Sequence, residues 1–186
     1  MAFEATKREW SELYTFFRLL ADGQVHAGNA EGTKDEALTW PIAMIKREEH
    51  DGTRQYIIEG EEIHICGENM DKRIPREDFD TVAHLVLEAV KASRENDVES
   101  PEGVEEFLDE VAIFDLEAQT DDRTDFYVSF FHKDTPPVGF CVRSKLTSMF
   151  PLLDGGRTAN FKFEQTGVKF ATPTVNKINA FGEDDD

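Results

Sequence analysis

The spacing of apolar residues changes along this chain, and that change requires helices and strands to pack in one fold. Trp10, Leu13, Tyr14, Phe17, Leu20 and Ala21 recur every three or four residues. They line one stripe of an opening helix that ends near Asp22-Gly23. Phe79, Val82, Leu85, Val86, Ala89 and Val90 repeat the pattern and predict a longer amphipathic helix, with Asp78 or Asp80 available to cap its start. Val104, Phe107, Leu108 and Val111 give a shorter helix after Pro101, a residue suited to a first helical turn. From there the period falls to two. The stretches 112–118, 124–132 and 138–146 are β-rich, separated by the turn formers Asp121-Asp122 and Pro136-Pro137.

Residues 24–34 are polar and read as loop, whereas residues 41–46 and the Tyr56-Ile57-Ile58 run flank Asp51-Gly52 as a hairpin. Residues 62–66 add a third short strand to a group expected at the periphery. Phe161 and Phe163 alternate with polar neighbours, Gly167 interrupts them, and Thr172-Pro173 opens a last helical turn holding Val175 and Ile178. One domain over residues 1–182 is expected, followed by an acidic, solvated tail at 183–186.

Composition narrows the function classes. With 39% hydrophobic residues and 15 Phe among 186 residues, wholesale disorder is excluded. No long uncharged apolar run occurs, and the first ten residues lack an apolar segment, so neither a membrane span nor a secretory signal is expected. Cys66 and Cys141 have no CxxC spacing, which points away from a disulfide scaffold or structural zinc and toward a reduced, cytoplasmic setting. The formal charge of -19 counts against nucleic acid, although it leaves room for a local basic groove.

Chemistry concentrates at Asp125 and the segment Gly139-Phe140-Cys141-Val142-Arg143-Ser144-Lys145. Strand alternation sends Phe140 and Val142 to the core, and Cys141, Arg143 and Lys145 to the opposite face. A carboxylate that binds Mg²⁺ beside a cation that meets phosphate oxygens is the layout of a metal-dependent phosphodiesterase. A half-exposed strand with solvated charges has the same pattern. His26, His50, His64, His84 and His132 lack HxH or HExxH spacing, and no motif places a histidine beside Cys141 as a nucleophile partner. Residues 155–158, Gly-Gly-Arg-Thr, lack Walker spacing.

Five segments in order resemble HpaII-type type II restriction endonucleases: Glu9-Trp10-Ser11-Glu12, residues 17–23, Arg123-Thr124-Asp125, residues 139–146, and Thr158-Ala159-Asn160-Phe161. The resemblance runs from residue 7 to about residue 180 and corresponds to the N-terminal, nuclease-bearing part of a usually longer protein. It implies an α/β (α+β) fold with a restriction-endonuclease-like, PD-(D/E)xK-type core, a mixed β-sheet flanked by helices. It also implies Mg²⁺-dependent hydrolysis of double-stranded DNA at a short C/G-containing palindrome, a homodimer, and a cognate DNA methyltransferase in the same restriction-modification system.

Carried onto this chain, the resemblance places a metal-binding aspartate at Asp125. It puts the glutamate of the opening helix at Glu12, with Glu9 as helper; helical geometry sets the two about 60° apart around the axis. Where the family strand has lysine this one has Arg143, and Lys145 stands two positions on. Those two residues share a strand face about 7 Å apart, so Lys145 can act as the substitute while Arg143 clamps a phosphate. A metal co-ligand comes from Glu12 or from a carboxylate such as Glu117. Arg157 is expected to reach a phosphate or a guanine edge, with Ser144 and Asn160 as further DNA contacts. The competing reading is a degenerate nuclease that binds DNA without cutting, or an acidic protein-binding module.

Overall fold

The structure is a computed structural model that describes residues 4–31, 33–117, 124–131, 136–144, 146–147 and 171–179. The chain groups into two compact units, residues 1–150 and 151–186. Of the second, the described part is centred on one helix, Thr172–Asn179, which starts where the Thr-Pro signal places it.

The first unit opens with a short strand β1 (Glu4–Thr6) and helix α1 (Lys7–Asp22). Thr6 caps α1: its Oγ1 accepts from the Glu9 amide at 3.3 Å, and its own amide donates to Glu9 Oε2 at 2.7 Å. This reciprocal box satisfies amides that have no partner inside the helix. At the other end Gly23 adopts φ +65° and donates its amide to the Leu19 carbonyl, the left-handed stop that glycine makes at low cost.

A short strand β2 (Gln24–Gly28) and a long strand β3 (Lys34–Glu49) follow, and then β4 (Gly52–Glu59), β5 (Glu62–Gly67) and β6 (Met70–Pro75). Helix α2 (Arg76–Ala92), strand β7 (Asp97–Glu99), helix α3 (Val104–Glu110), and strands β8 (Phe126–Phe130) and β9 (Val138–Phe140) complete this unit. The main sheet runs β6-β5-β4-β3-β8-β9, with β2 also paired to β3, and every described pairing is antiparallel. β1 and β7 form a separate antiparallel pair. The fold is therefore α+β, an antiparallel sheet flanked by helices.

Aromatic packing sets the layers. Phe16 of α1 meets Tyr56 of β4 edge-on at 4.9 Å between centroids and Phe126 of β8 at 5.8 Å. Its neighbour Phe17 turns to Phe79 of α2 and Phe107 of α3. Adjacent positions on a helix point about 100° apart, so α1 bridges the sheet and the other two helices. The Trp10 indole donates to the Val98 carbonyl at 3.0 Å, tying α1 to β7.

Several sequence expectations need correction. Residues 24–34 are mostly strand: β2 pairs with the outer part of β3 as an exposed two-stranded arm, where one-sided burial cannot imprint alternation. The hairpin expected at the periphery contains β3, which pairs with β2, β4 and β8 and is central. The stretch 112–117 is irregular backbone instead of strand. α2 begins at Arg76 behind Pro75 with no side-chain cap; Asp80 forms an ion pair with Arg18 of α1, and Leu85 is exposed. The expected strand at 160–165 and the acidic tail lie outside the described residues.

Candidate active site around Asp125

The start of β8 and the segment after β9 meet at Asp125. The Asp125 amide donates to the Phe140 carbonyl at 2.9 Å, and the Val142 amide donates back to Asp125 Oδ2. These two bonds fix the carboxylate at the sheet end. Phe126 below it is buried and stacks with Phe140, and Val142 also packs on the core. The outward face carries Cys141 and Arg143, both exposed. The alternation read from sequence thus holds although regular strand ends at Phe140. Arg143 Nη1 lies 2.7 Å from Cys141 Sγ and donates to the Val142 carbonyl at 3.3 Å.

Asp125 is 9% exposed. Burial pushes its carboxyl above the ordinary carboxylate range, and the nearby Glu117 adds to that. The Val142 amide, Arg8 and Arg143 pull the other way. A buried carboxylate whose charge is also opposed by that of a second one gains from a hard cation at its oxygens. Mg²⁺ is commonly held by one or two carboxylates plus water. The donor chemistry of Asp125 and Glu117 fits that ion. Among the described residues, no three His, Cys, Asp or Glu side chains form a metal-binding group.

The glutamates of the opening helix are placed differently from each other. Glu9 closes the α1 cap with Thr6. Glu12 is buried, with Oε1 3.5 Å from Arg47 Nη2. Arg47, on β3 and fully buried, also pairs with Glu49 and donates from Nη2 to the Asp115 and Leu116 carbonyls at 2.7 and 2.9 Å. Glu49 Oε2 accepts from the Phe114 and Asp115 amides at 3.1 and 2.9 Å. This network anchors the irregular segment that carries Glu117. Burial lowers the Arg47 guanidinium from its ordinary value, and Glu12 opposes that shift.

Ser144 is hydrogen-bonded to Ser11 Oγ at 2.9 Å, which ties α1 to the Arg143 segment. Lys145, Arg157 and Asn160 lie outside the described residues. Sequence reasoning missed Arg8. It stands in the first turn of α1, its Nη2 is 3.7 Å from Glu117 Oε1, and its charge acts on Asp125. Those partners are remote in sequence, so no local motif could have signalled them.

The sequence matches the HpaII restriction endonuclease family over residues 6–186. The chain belongs to that family. The type II restriction enzyme HpaII of Haemophilus parainfluenzae is 29% identical over 172 residues, which cover 90% of this chain and 48% of that protein. The chain therefore spans about half the length of the curated relative it matches. No solved structure matches it. The HpaII family match takes in both α1 and the Asp125–Arg143 neighbourhood, the two segments joined by the Ser11–Ser144 bond. No described helix is long and apolar enough to cross a membrane.

Proposed function

We propose that this chain is the nuclease-bearing part of a type II restriction endonuclease, hydrolysing phosphodiester bonds of duplex DNA with Mg²⁺ at a short C/G-containing palindrome. The observation that carries the reading is Asp125: a nearly buried carboxylate with Glu117 and the Arg143 cation acting on it, in a member of the HpaII family. Asp125 and Glu117 are the residues that hold the ion, and Glu12 is a further carboxylate on the same tied helix. When bound, Mg²⁺ offsets phosphate charge and activates water at neutral pH.

The protein's own part is positional. The Val142 amide and the Phe140 carbonyl fix Asp125 at the sheet end. Arg143, exposed beside it, meets the phosphate oxygens and offsets the charge that develops there, as a fork of donors instead of the family lysine's single ammonium. Lys145 remains the proposed substitute for that lysine, and Arg157, Ser144 and Asn160 the proposed DNA contacts. A palindromic target is matched by a two-fold homodimer. A DNA methyltransferase protecting the same site and a cytoplasmic location complete the reading.

The test is cleavage of supercoiled plasmid in Mg²⁺ by the wild type and by Asp125→Ala. Cutting that disappears in the variant supports the nuclease. Plasmid left intact by the wild type while DNA is still bound favours the non-cutting module, a reading that the arginine at position 143 supports.

A further inference from the structure

Basic residues are disfavoured in the first turn of a helix, where the macrodipole attracts anions, yet α1 opens with Lys7 and Arg8. Lys7 has a structural reason: its Nζ donates to the Ser93 carbonyl at 2.9 Å. Arg8 is different. Its described ion-pair partner is Glu117 at 3.7 Å, and both side chains are largely exposed, 67% and 52%. A pair of that kind contributes little to stability, so it opens readily. Ser11, one turn further along and on the same side of the helix, is bonded to Ser144. Arg8 therefore sits on the side of α1 that is tied to the Arg143 segment, and its charge, like that of Arg143, acts on Asp125.

We propose that Arg8 is a DNA-phosphate contact of this site, held by Glu117 in the free protein and transferred to a backbone phosphate when duplex DNA binds. The assignment rests on the reading that the chain acts on DNA, and it adds a second guanidinium to Arg143 from a different element of the fold. Two guanidiniums approaching from a helix start and a strand end can hold a phosphate from two sides, which orients it better than one cation.

The experiment measures association of the full chain with a short fluorescein-labelled duplex of mixed sequence, in EDTA, across a salt series from about 50 to 200 mM. Each phosphate contact contributes about 0.9 to the slope of log affinity against log salt. Arg8→Ala is expected to flatten the slope by about that amount, so that its binding deficit shrinks roughly three- to fourfold across the series. Arg8→Lys should keep the slope, because it keeps the charge. Glu117→Gln should bind about two- to fivefold more tightly, the range an exposed ion pair is worth. Exposed Arg94→Ala should leave the slope alone.

An Arg8→Ala slope equal to wild type, or an Arg94→Ala slope equally flattened, overturns the assignment. Wild-type association without salt dependence overturns it together with the DNA reading. Loss of plasmid cutting alone, with the slopes as expected, overturns only the catalytic reading.

Discussion

The Arg47 guanidinium on β3 lies 3.5 Å from the Glu12 carboxylate on α1, and both are buried. The same guanidinium neutralises Glu49 and holds two backbone carbonyls of the 115–116 segment. Removing the cation alone takes its charge from two buried carboxylates, although the Phe114 and Asp115 amides still donate to Glu49. Arg47→Met is therefore expected to cost about 3–5 kcal/mol, the range for breaking one side of a buried pair. Urea denaturation measures it. Arg47→Met with Glu12→Gln and Glu49→Gln should recover part of the loss, since the amides carry no charge. A single variant that unfolds at the wild-type midpoint contradicts the network.

Asp125 gives a pH prediction of definite sign. Its folded-state pKa is raised, mainly by burial, above the unfolded value near 3.9. The folded state therefore binds the proton more tightly than the unfolded chain. That contribution is fully present below the unfolded pKa and is lost as pH rises through the folded one. Asp125→Asn removes the charge while its amide oxygen can still accept from Val142. It is expected to raise the melting temperature at neutral pH and to give a smaller difference near pH 4. Thermal melts across pH measure this, and an Asn variant less stable at pH 7 than at pH 4, relative to wild type, opposes it.

Gly23 closes α1 at φ +65°, and a Cβ built there would stand 2.7 Å from Arg76 Nη2. That nitrogen donates to the Ala21 carbonyl at 2.6 Å, one of the carbonyls left open at the helix end. Gly23→Ala therefore imposes a left-handed backbone on a residue with a Cβ and displaces a capping guanidinium. A loss of about 1–2 kcal/mol is expected from the backbone alone. Arg76→Ala should be destabilising as well, and in its background Gly23→Ala should lose only the backbone part. Equal effects of the glycine change in both backgrounds would remove the guanidinium from the account.

The parts of the fold legible in the sequence are those whose burial is one-sided. Trp10, Leu13, Phe17 and Leu20 are buried as their spacing requires, and so are Phe79, Val82, Val86 and Val90. β6 escaped because it is an edge strand whose Asp71, Lys72 and Arg73 are exposed, leaving only Ile74 buried. The 112–117 segment deceived for the opposite reason. Ile113 is buried, but the Phe114 and Asp115 amides are taken by the Glu49 carboxylate instead of a neighbouring strand. Arg47 and Arg54 are buried opposite each other on β3 and β4, positions that no apolar spacing marks. Such long-range polar contacts leave no periodic trace.

The candidate site divides along the same line. Local alternation sets the outward face of Arg143, and the fold keeps it near enough for its charge to act on Asp125. The Ser11–Ser144 bond and the Arg8–Glu117 pair join segments remote in sequence, so neither had a local signature.

Arg143 supplies the last prediction. If its role is to offset charge on the phosphate, the group matters through its cation and donors, and the alkaline requirement of a lysine acting as a base is absent because a guanidinium stays protonated. Arg143→Ala is expected to slow single-turnover cleavage by about 10²–10³-fold, the loss typical of one removed charge-stabilising donor. Arg143→Lys keeps the cation and loses the fork, so its rate should fall between the two. The ordering is what decides: an alanine variant cutting as fast as the wild type would transfer the role to Lys145, and Lys145→Ala should then carry the loss.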